Sequence, residues 1–298
     1  MNLQTVAELR GVSKRFGNVV ALDRVGLTVR SGELFAILGP NGAGKTTVIS
    51  LLLGLQSPDS GAAKLFGEPP EKAAVRRGIG VMMQEVTLAG ELRVREHLEL
   101  AASWYPNALS AQTAMEITHT TALAGRPYGK LSGGQKRQVQ FALAICGRPR
   151  LLFLDEPTVG LDVRAREALW NTLRLLIDAG CAVVLTTHYL EEAEALADRV
   201  AVLAKGRVVA SGPVSEVRAL VVRTRIRCTT SLDAQDVAEW AGVGSVSKDG
   251  QRLDIAATNP EAVVRRLLET DRDLEDLEVI RAGLADAFSE LTQEVMGS

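Results

Sequence analysis

Several things that would settle the class of this chain outright are scarce or missing. Its cysteines, Cys146, Cys181 and Cys228, are three in 298 residues, far apart and odd in number. They spell neither a disulfide framework nor a thiolate metal site, and they point to a reducing compartment. Neither charge sign dominates: 34 basic and 36 acidic residues leave a formal net charge of -2. There is no global field to draw in nucleic acid or an anionic membrane, so any such contact must be local, and no nucleic-acid partner is expected. No apolar run approaches the about 20 residues that cross a bilayer. The first ten residues lack the basic-then-apolar order of a secretory signal, which predicts a cytoplasmic protein. Internal repeats and low-complexity linkers are absent too. What remains is 46% hydrophobic content in a chain long enough for one large domain, or one plus a small one.

Against that plain background one run stands out, Gly39-Pro40-Asn41-Gly42-Ala43-Gly44-Lys45-Thr46-Thr47, set between the apolar stretches 34–38 and 48–55. A glycine loop between a strand and a helix is the context of a phosphate-binding P-loop. Gly39, Gly42 and Gly44 allow main-chain N–H groups to converge on an anion, and the following helix adds free donors and the positive end of its dipole. Lys45 would reach the β- and γ-phosphate oxygens, and the Thr46 hydroxyl a Mg²⁺ ion bridging them. The bland alternative is a glycine-rich turn that binds nothing.

Around the loop the pattern is organised. Val6, Leu9 and Val12, then Val25, Leu27 and Val29, predict short antiparallel strands, with Phe16 in the turn between them. Residues 62–66 and 79–83 read as further strands, the second ending at Gln84. Residues 91–125 take on helical spacing, and with the helix that follows form a helical insert at about 91–146. From Leu131 a helix to Cys146, a strand 151–154, a helix 164–177 and a strand 182–186 alternate, as in a parallel sheet covered on both faces. Near residue 220 the organisation changes, which divides the chain into 1–220 and 221–298. The tail reads βαββαβ, the order of a ferredoxin-like unit, with Asn259-Pro260-Glu261 opening its second helix and a last helix expected at 283–295.

Two further clusters carry chemistry. Strand 151–154 runs into Asp155 and Glu156, whose side chains point to opposite sides and so serve different tasks. Asp155 fits the steadying of Mg²⁺, directly or through water. Glu156 then faces the γ-phosphate and orients or deprotonates the attacking water. A solvated loop pair is the structural alternative. Leu131-Ser132-Gly133-Gly134-Gln135 opens a helix whose inward face is Val139, Ala142, Leu143 and Cys146. Ser132 and Gln135 suit a capping box. Two glycines in a first turn cost about 1 kcal/mol each relative to alanine, so bare N–H groups for an anion explain them better.

Taken in order, the P-loop, Gln84, the Leu-Ser-Gly-Gly-Gln run, Asp155-Glu156-Pro157, Gly160-Leu161-Asp162 and His188 after a strand resemble the ATP-binding cassette of ABC transporters over residues 5–220. The resemblance implies a P-loop NTPase cassette: a mostly parallel sheet, an antiparallel β subdomain, a helical insert and a small C-terminal α+β domain. It implies that ATP and Mg²⁺ are bound, with Phe16 stacking on adenine, Gln84 touching Mg²⁺ while sensing a membrane partner, and His188 contacting the γ-phosphate and positioning Glu156. The structural alternatives are that Phe16 is only a core aromatic, Gln84 a surface polar group and Asp162 a helix N-cap before Val163. The resemblance further implies Asp162 at a subunit interface, linking the two sites, and Ser132 and Gly134 against the ATP held by the other subunit, with Gly133 and Gln135 of the same run among the nucleotide-binding residues. One cassette with one signature implies two chains, a homodimer or a heterodimer, on an integral membrane permease at the inner face of the membrane. Residues 185–194 are similar to ATPase subunits of ABC-2 type drug and antibiotic exporters, whose cargo is a drug, antibiotic, lipid or similar molecule. Gly283 to Phe288 corresponds to their C-terminal Leu-Glu-Asp-x-Phe motif, without its glutamate. Two other classes fit parts of the pattern: a soluble cassette ATPase outside transport, and a resistance or regulatory protein that binds a drug itself.

Overall fold

The computed structural model describes residues 4–84, 86–219, 224–280, 284, 285 and 288. The chain divides into two compact units, one running to Pro213 and the other covering Val214–Glu294. That division falls ahead of the change in composition near residue 220.

The first unit opens with a hairpin of β1 (Thr5–Phe16) and β2 (Val19–Arg30). Both strands are 12 residues long, where the alternation predicts short ones. Leu9 opposite Leu27 and Val12 opposite Val25 supply the inward face. The outer end, Arg15 to Val20, is exposed on both sides, so it carries no alternation to read. After β3 (Leu34–Leu38) and α1 (Lys45–Leu52), β4 (Ser60–Leu65) pairs antiparallel with β1 and completes a three-stranded sheet.

A short helix α2 (Ala73–Arg76) leads to β5 (Ile79–Met82). The insert follows: α3 (Val94–Ala102), α4 (Ala111–Ile117), two single 3₁₀ turns and α5 (Gly133–Ile145). The chain then makes β6 (Leu151–Asp155), α6 (Val163–Asp178), β7 (Ala182–Thr186), α7 (Leu190–Leu196), β8 (Arg199–Ala204) and β9 (Arg207–Pro213). The main sheet runs β5-β6-β7-β3-β8-β9. It is parallel except where β9 folds back on β8 through Lys205-Gly206, both at positive φ, as a two-residue hairpin turn requires. The last helix and strands of this unit, α7, β8 and β9, lie beyond the elements expected from the sequence.

Every residue of β3, β6 and β7 is buried, and they form the centre of the core with Val48, Ile49 and Leu51 of α1 among its partners. At about 1.5–3 kcal/mol for each large apolar side chain removed from water, these short strands carry much of the stability. Packing across them is tight enough to dictate a glycine. A Cβ on Gly80 of β5 would overlap the Ala144 carbonyl oxygen of α5.

The second unit holds α8 (Val214–Ala219), β10 (Thr224–Thr229), α9 (Ala234–Ala238), β11 (Val243–Asp249), β12 (Arg252–Ala257), α10 (Pro260–Thr270) and β13 (Glu275–Ile280). From β10 to β13 the order is βαββαβ, and the antiparallel sheet runs β11-β12-β10-β13, a split βαβ arrangement. Asn259 caps α10 by accepting the Ala262 N–H at 3.2 Å, with Pro260 next in line. Ile226, Cys228, Leu253, Ile255, Val263 and Leu267 close a core of its own. On the other face Arg227 pairs with Asp254 at 3.0 Å. Of the closing stretch, Leu284 is helical and buried; the rest of the expected helix 283–295, with Gly283, Asp286 and Ala287 of the motif, lies outside the described residues apart from Ala285 and Phe288.

Replacing Gly80 with alanine is predicted to destabilise the first unit by about 1–3 kcal/mol through overpacking against the Ala144 carbonyl. Chemical denaturation checks this, and an unchanged midpoint contradicts the packing described.

Candidate active site

The register of the three central strands shapes the site. Ile37 lies opposite Thr186, and Thr186 opposite Asp155. Three loops therefore leave the sheet at one level: the glycine loop after β3, Glu156 after β6, and Thr187-His188 after β7. In an open parallel sheet this carboxyl edge is where ligands bind.

The glycine loop ends at Gly44, the N-cap of α1, with φ 107° and no side-chain cap. The first turn of α1 has no acidic residue, so its N–H groups and dipole face outward uncompensated. Gly42, at φ 79°, also needs the left-handed region. Steric demands add to this at Gly39, where a Cβ would lie 2.6 Å from the Leu203 carbonyl oxygen, and at Gly44, where it would lie 2.7 Å from that of Ala21. Ala43 is buried, Asn41 and Thr46 are exposed, and Pro40 and Thr47 are half-buried. Lys45 is buried and donates to the Gly39 carbonyl at 2.6 Å and that of Pro40 at 3.2 Å. Burial holds its ammonium below the ordinary lysine value, against the opposing charges of Glu156 and Asp155. Lysine and carboxylates thus share one electrostatic environment.

Asp155 and Glu156 are both buried. Thr186 donates its hydroxyl to Asp155 Oδ1. Glu156 takes a positive φ of 51°, a sparsely populated conformation for a side chain of this kind, and its Oε2 lies 2.6 Å from His188 Nδ1. The His188 ring, half-exposed, packs on Tyr189 at 4.1 Å between centroids. A carboxylate held by an imidazole at the mouth of a buried strand is a competent acceptor for a proton from water.

The second cluster forms a groove of about 880 Å³ lined by Gln84, Ser132, Gly133, Gly134, Gly160 and Asp162 among others. No residue of the glycine loop lines it. The capping box is present: Ser132 Oγ accepts the Gln135 N–H at 3.3 Å, and Gln135 Oε1 accepts that of Ser132 at 3.1 Å. The two glycines differ. Around a Cβ on Gly133 there is open space, whereas on Gly134 it would lie 2.8 Å from the Gly160 carbonyl oxygen. Gly134 is therefore also a packing glycine. Asp162 caps α6 through the Ala165 N–H at 2.8 Å while lining the groove, and Gln84 is exposed there. Phe16 stands apart at the end of β1, 45% exposed, with the Lys14 ammonium 5.7 Å from its ring centre. A core role is excluded by that exposure.

Residues 22–159 match the ABC transporter family. Over 309 aligned residues, 97% of this chain and 96% of the relative, the chain is 37% identical to a daunorubicin resistance ATP-binding protein of Streptomyces coeruleorubidus. The chain belongs to the ABC transporter family, as an ATP-binding subunit of the exporter kind. It is also 42% identical over 216 residues to the Nod factor export ATP-binding protein I of Mesorhizobium japonicum, a match spanning 70% of this chain and 64% of that relative. Among solved structures, an ATP-binding subunit of an ABC transporter superposes with a TM-score of 0.67 at 30% identity, covering 72% of this chain and 93% of that one. An ATP-binding cassette solved as a dimer in a post-hydrolysis state with ADP and Pi gives 0.64 at 27%, covering 70% and 98%. Such cassettes hydrolyse ATP, and this ABC subunit is an ATPase.

Three residues of the ABC site were not singled out from the sequence: Thr186, Glu192 and Arg137. Arg137, buried on α5, donates to the Met83 carbonyl at 2.8 Å and to that of Glu156 at 3.0 Å. It joins the helix of the signature run to the residue before Gln84 and to the backbone of Glu156. Burial lowers its guanidinium from the ordinary value, and Asp155 and Glu156 oppose that. A signal existed: Arg137, Phe141 and Ala144 share one helical face, a cation on a buried stripe. Arg137→Met keeps the apolar stem and leaves two carbonyls without a donor. It is predicted to destabilise the cassette by about 2 kcal/mol and to slow ATP hydrolysis, checked by denaturation and phosphate release.

Proposed function

We propose that this subunit clamps Mg-ATP between two copies of itself, or between itself and a similar cassette, and that hydrolysis of the clamped nucleotide drives export through a separate membrane-spanning subunit. The observation that carries the reading is the separation of two half-sites within one chain. The glycine loop, Lys45, Asp155, Glu156 and His188 gather at the sheet edge, while the Ser132–Asp162 groove contains no residue of that loop. A groove lined by a helix start and free of its own phosphate loop suits a nucleotide held by another copy, in keeping with the dimeric relative.

In this reading the N–H groups of Gly39, Asn41, Gly42, Ala43, Gly44, Lys45, Thr46 and Thr47 surround the phosphates, and Pro40 shapes the loop. Lys45 leaves its loop carbonyls for the β- and γ-phosphate oxygens. Phe16 stacks on the adenine. Among the described residues no three His, Cys, Asp or Glu side chains cluster to hold a metal unaided. Thr46, Gln84 and Asp155 are hard oxygen donors of the kind Mg²⁺ takes together with phosphate and water, so the residues fit that ion. Bound there, Mg²⁺ supplies charge neutralisation at the phosphates. Glu156 accepts the proton of the attacking water, and His188 holds the Glu156 carboxylate and meets the γ-phosphate. Ser132, Gly133, Gly134 and Gln135 face the partner copy's nucleotide, with Asp162 at the shared boundary.

No helix among the described residues is long and apolar enough to cross a membrane. The membrane partner docks on the insert side, where an open apolar groove of about 480 Å³ has Leu55, Met83, Val86, Leu100 and Trp104 in its lining. Trp104 is 67% and Leu55 63% exposed, a patch that calls for cover. The subunit is then peripheral at the inner membrane face, and its cargo is a drug, antibiotic, lipid or similar molecule, a reading supported by relatives named for daunorubicin resistance and Nod factor export.

Glu156→Gln is expected to keep ATP binding, lose turnover by about 100-fold or more and accumulate as a dimer with Mg-ATP, read by phosphate release and light scattering. Near-normal hydrolysis in that variant contradicts the role of Glu156, and a monomer contradicts the clamp. Lys45→Ala is expected to lose ATP affinity by about 10-fold or more in calorimetry, since a charge-assisted contact to phosphate is removed. Unchanged affinity contradicts the phosphate role of the loop.

A further inference from the structure

Glu192 on α7 is 2% exposed, an acid where packing alone favours an apolar side chain. Its Oε2 accepts the Thr158 hydroxyl at 3.3 Å and its Oε1 the Trp170 indole N–H at 3.3 Å, while its backbone N–H donates to the Tyr189 carbonyl at 3.1 Å. Burial pushes its carboxyl above the ordinary glutamate value, and the hydrogen bonds to its side chain oppose the shift. The three partners come from three places that matter. Thr158 lies two residues beyond Glu156, Tyr189 immediately after His188, and Trp170 on the helix that Asp162 caps. The Thr187 oxygen accepts the Tyr189 N–H at 3.0 Å, which fixes the turn on both sides of His188.

We propose that Glu192 is a positioning residue for ATP hydrolysis: it locks the loop after Glu156 to the turn carrying His188 and so sets the 2.6 Å contact between those two side chains. The proposal rests on the reading of Glu156 and His188 as the hydrolytic pair. An ionised carboxylate accepts at both oxygens, whereas a glutamine has a single acceptor oxygen and an amide that only donates, so it cannot receive both bonds.

The test is Glu192→Gln in the full chain. Its kcat for ATP is expected to fall about tenfold or more from misplacement of the pair, with KM within about twofold of the parent. In ¹⁵N-histidine spectra without nucleotide, the ring signals of His188 are expected to move while those of His97 and His119 stay in place. Unchanged kcat, a loss carried by KM, or an unmoved His188 signal overturns the proposal. The spectrum reads the lock itself, so it separates failure of the lock from failure of the hydrolytic assignment, which normal turnover by Glu156→Gln would show.

Discussion

The site depends on the level alignment of three five-residue strands that have no exposed residue between them. Because β3, β6 and β7 are apolar on both faces, their hydrophobic pattern does not choose a register by itself. Polar groups at their ends do. Glu156 N–H donates to the Thr186 carbonyl at 3.0 Å and the Thr186 hydroxyl to Asp155, which fixes β6 against β7 at the carboxyl edge. At the opposite edge Val183 N–H reaches the Glu33 carbonyl at 2.9 Å and Leu34 N–H the Asp198 carboxylate at 2.8 Å. The same groups that pin the sheet therefore deliver Lys45, Asp155, Glu156 and His188 to one place.

Charge is handled differently at the site and elsewhere in the chain. Most ion pairs are solvated, such as Lys72 with Glu68 and Arg207 with Asp23, and contribute little. Around Glu156, by contrast, Lys45, Arg137, Asp155 and Glu192 are all buried. Lys45 and Arg137 are depressed and Glu192 is raised, in each case chiefly by burial. A fold that only needed to be stable would fill this volume with apolar side chains. Together with the positive φ of Glu156, the cluster marks where structure is held for chemistry.

Much of this arrangement was legible in the residues, for identifiable reasons. The glycine loop, the strand ending in two carboxylates and the Ser132–Gln135 run each combine a change of periodicity with residue types that the local backbone demands. The βαββαβ order of the tail was readable from its alternation and from the Asn259-Pro260 helix entry. What was not legible depends on partners distant in the chain. Arg137 finds Met83 and Glu156, and Glu192 finds Thr158 and Trp170, only once the sheet is assembled. The reason for Gly134 has the same origin, since its steric neighbour is Gly160. The β8–β9 hairpin did carry a local sign in Lys205-Gly206 that periodicity alone passes over.

The two units each enclose their own apolar interior, one around the main sheet and hairpin and the other around Ile226, Leu253 and Leu267. A side chain trimmed at Leu253 therefore leaves its void among tail residues, and one trimmed at Val184 leaves it among residues of the cassette, so each interior keeps its own record of damage.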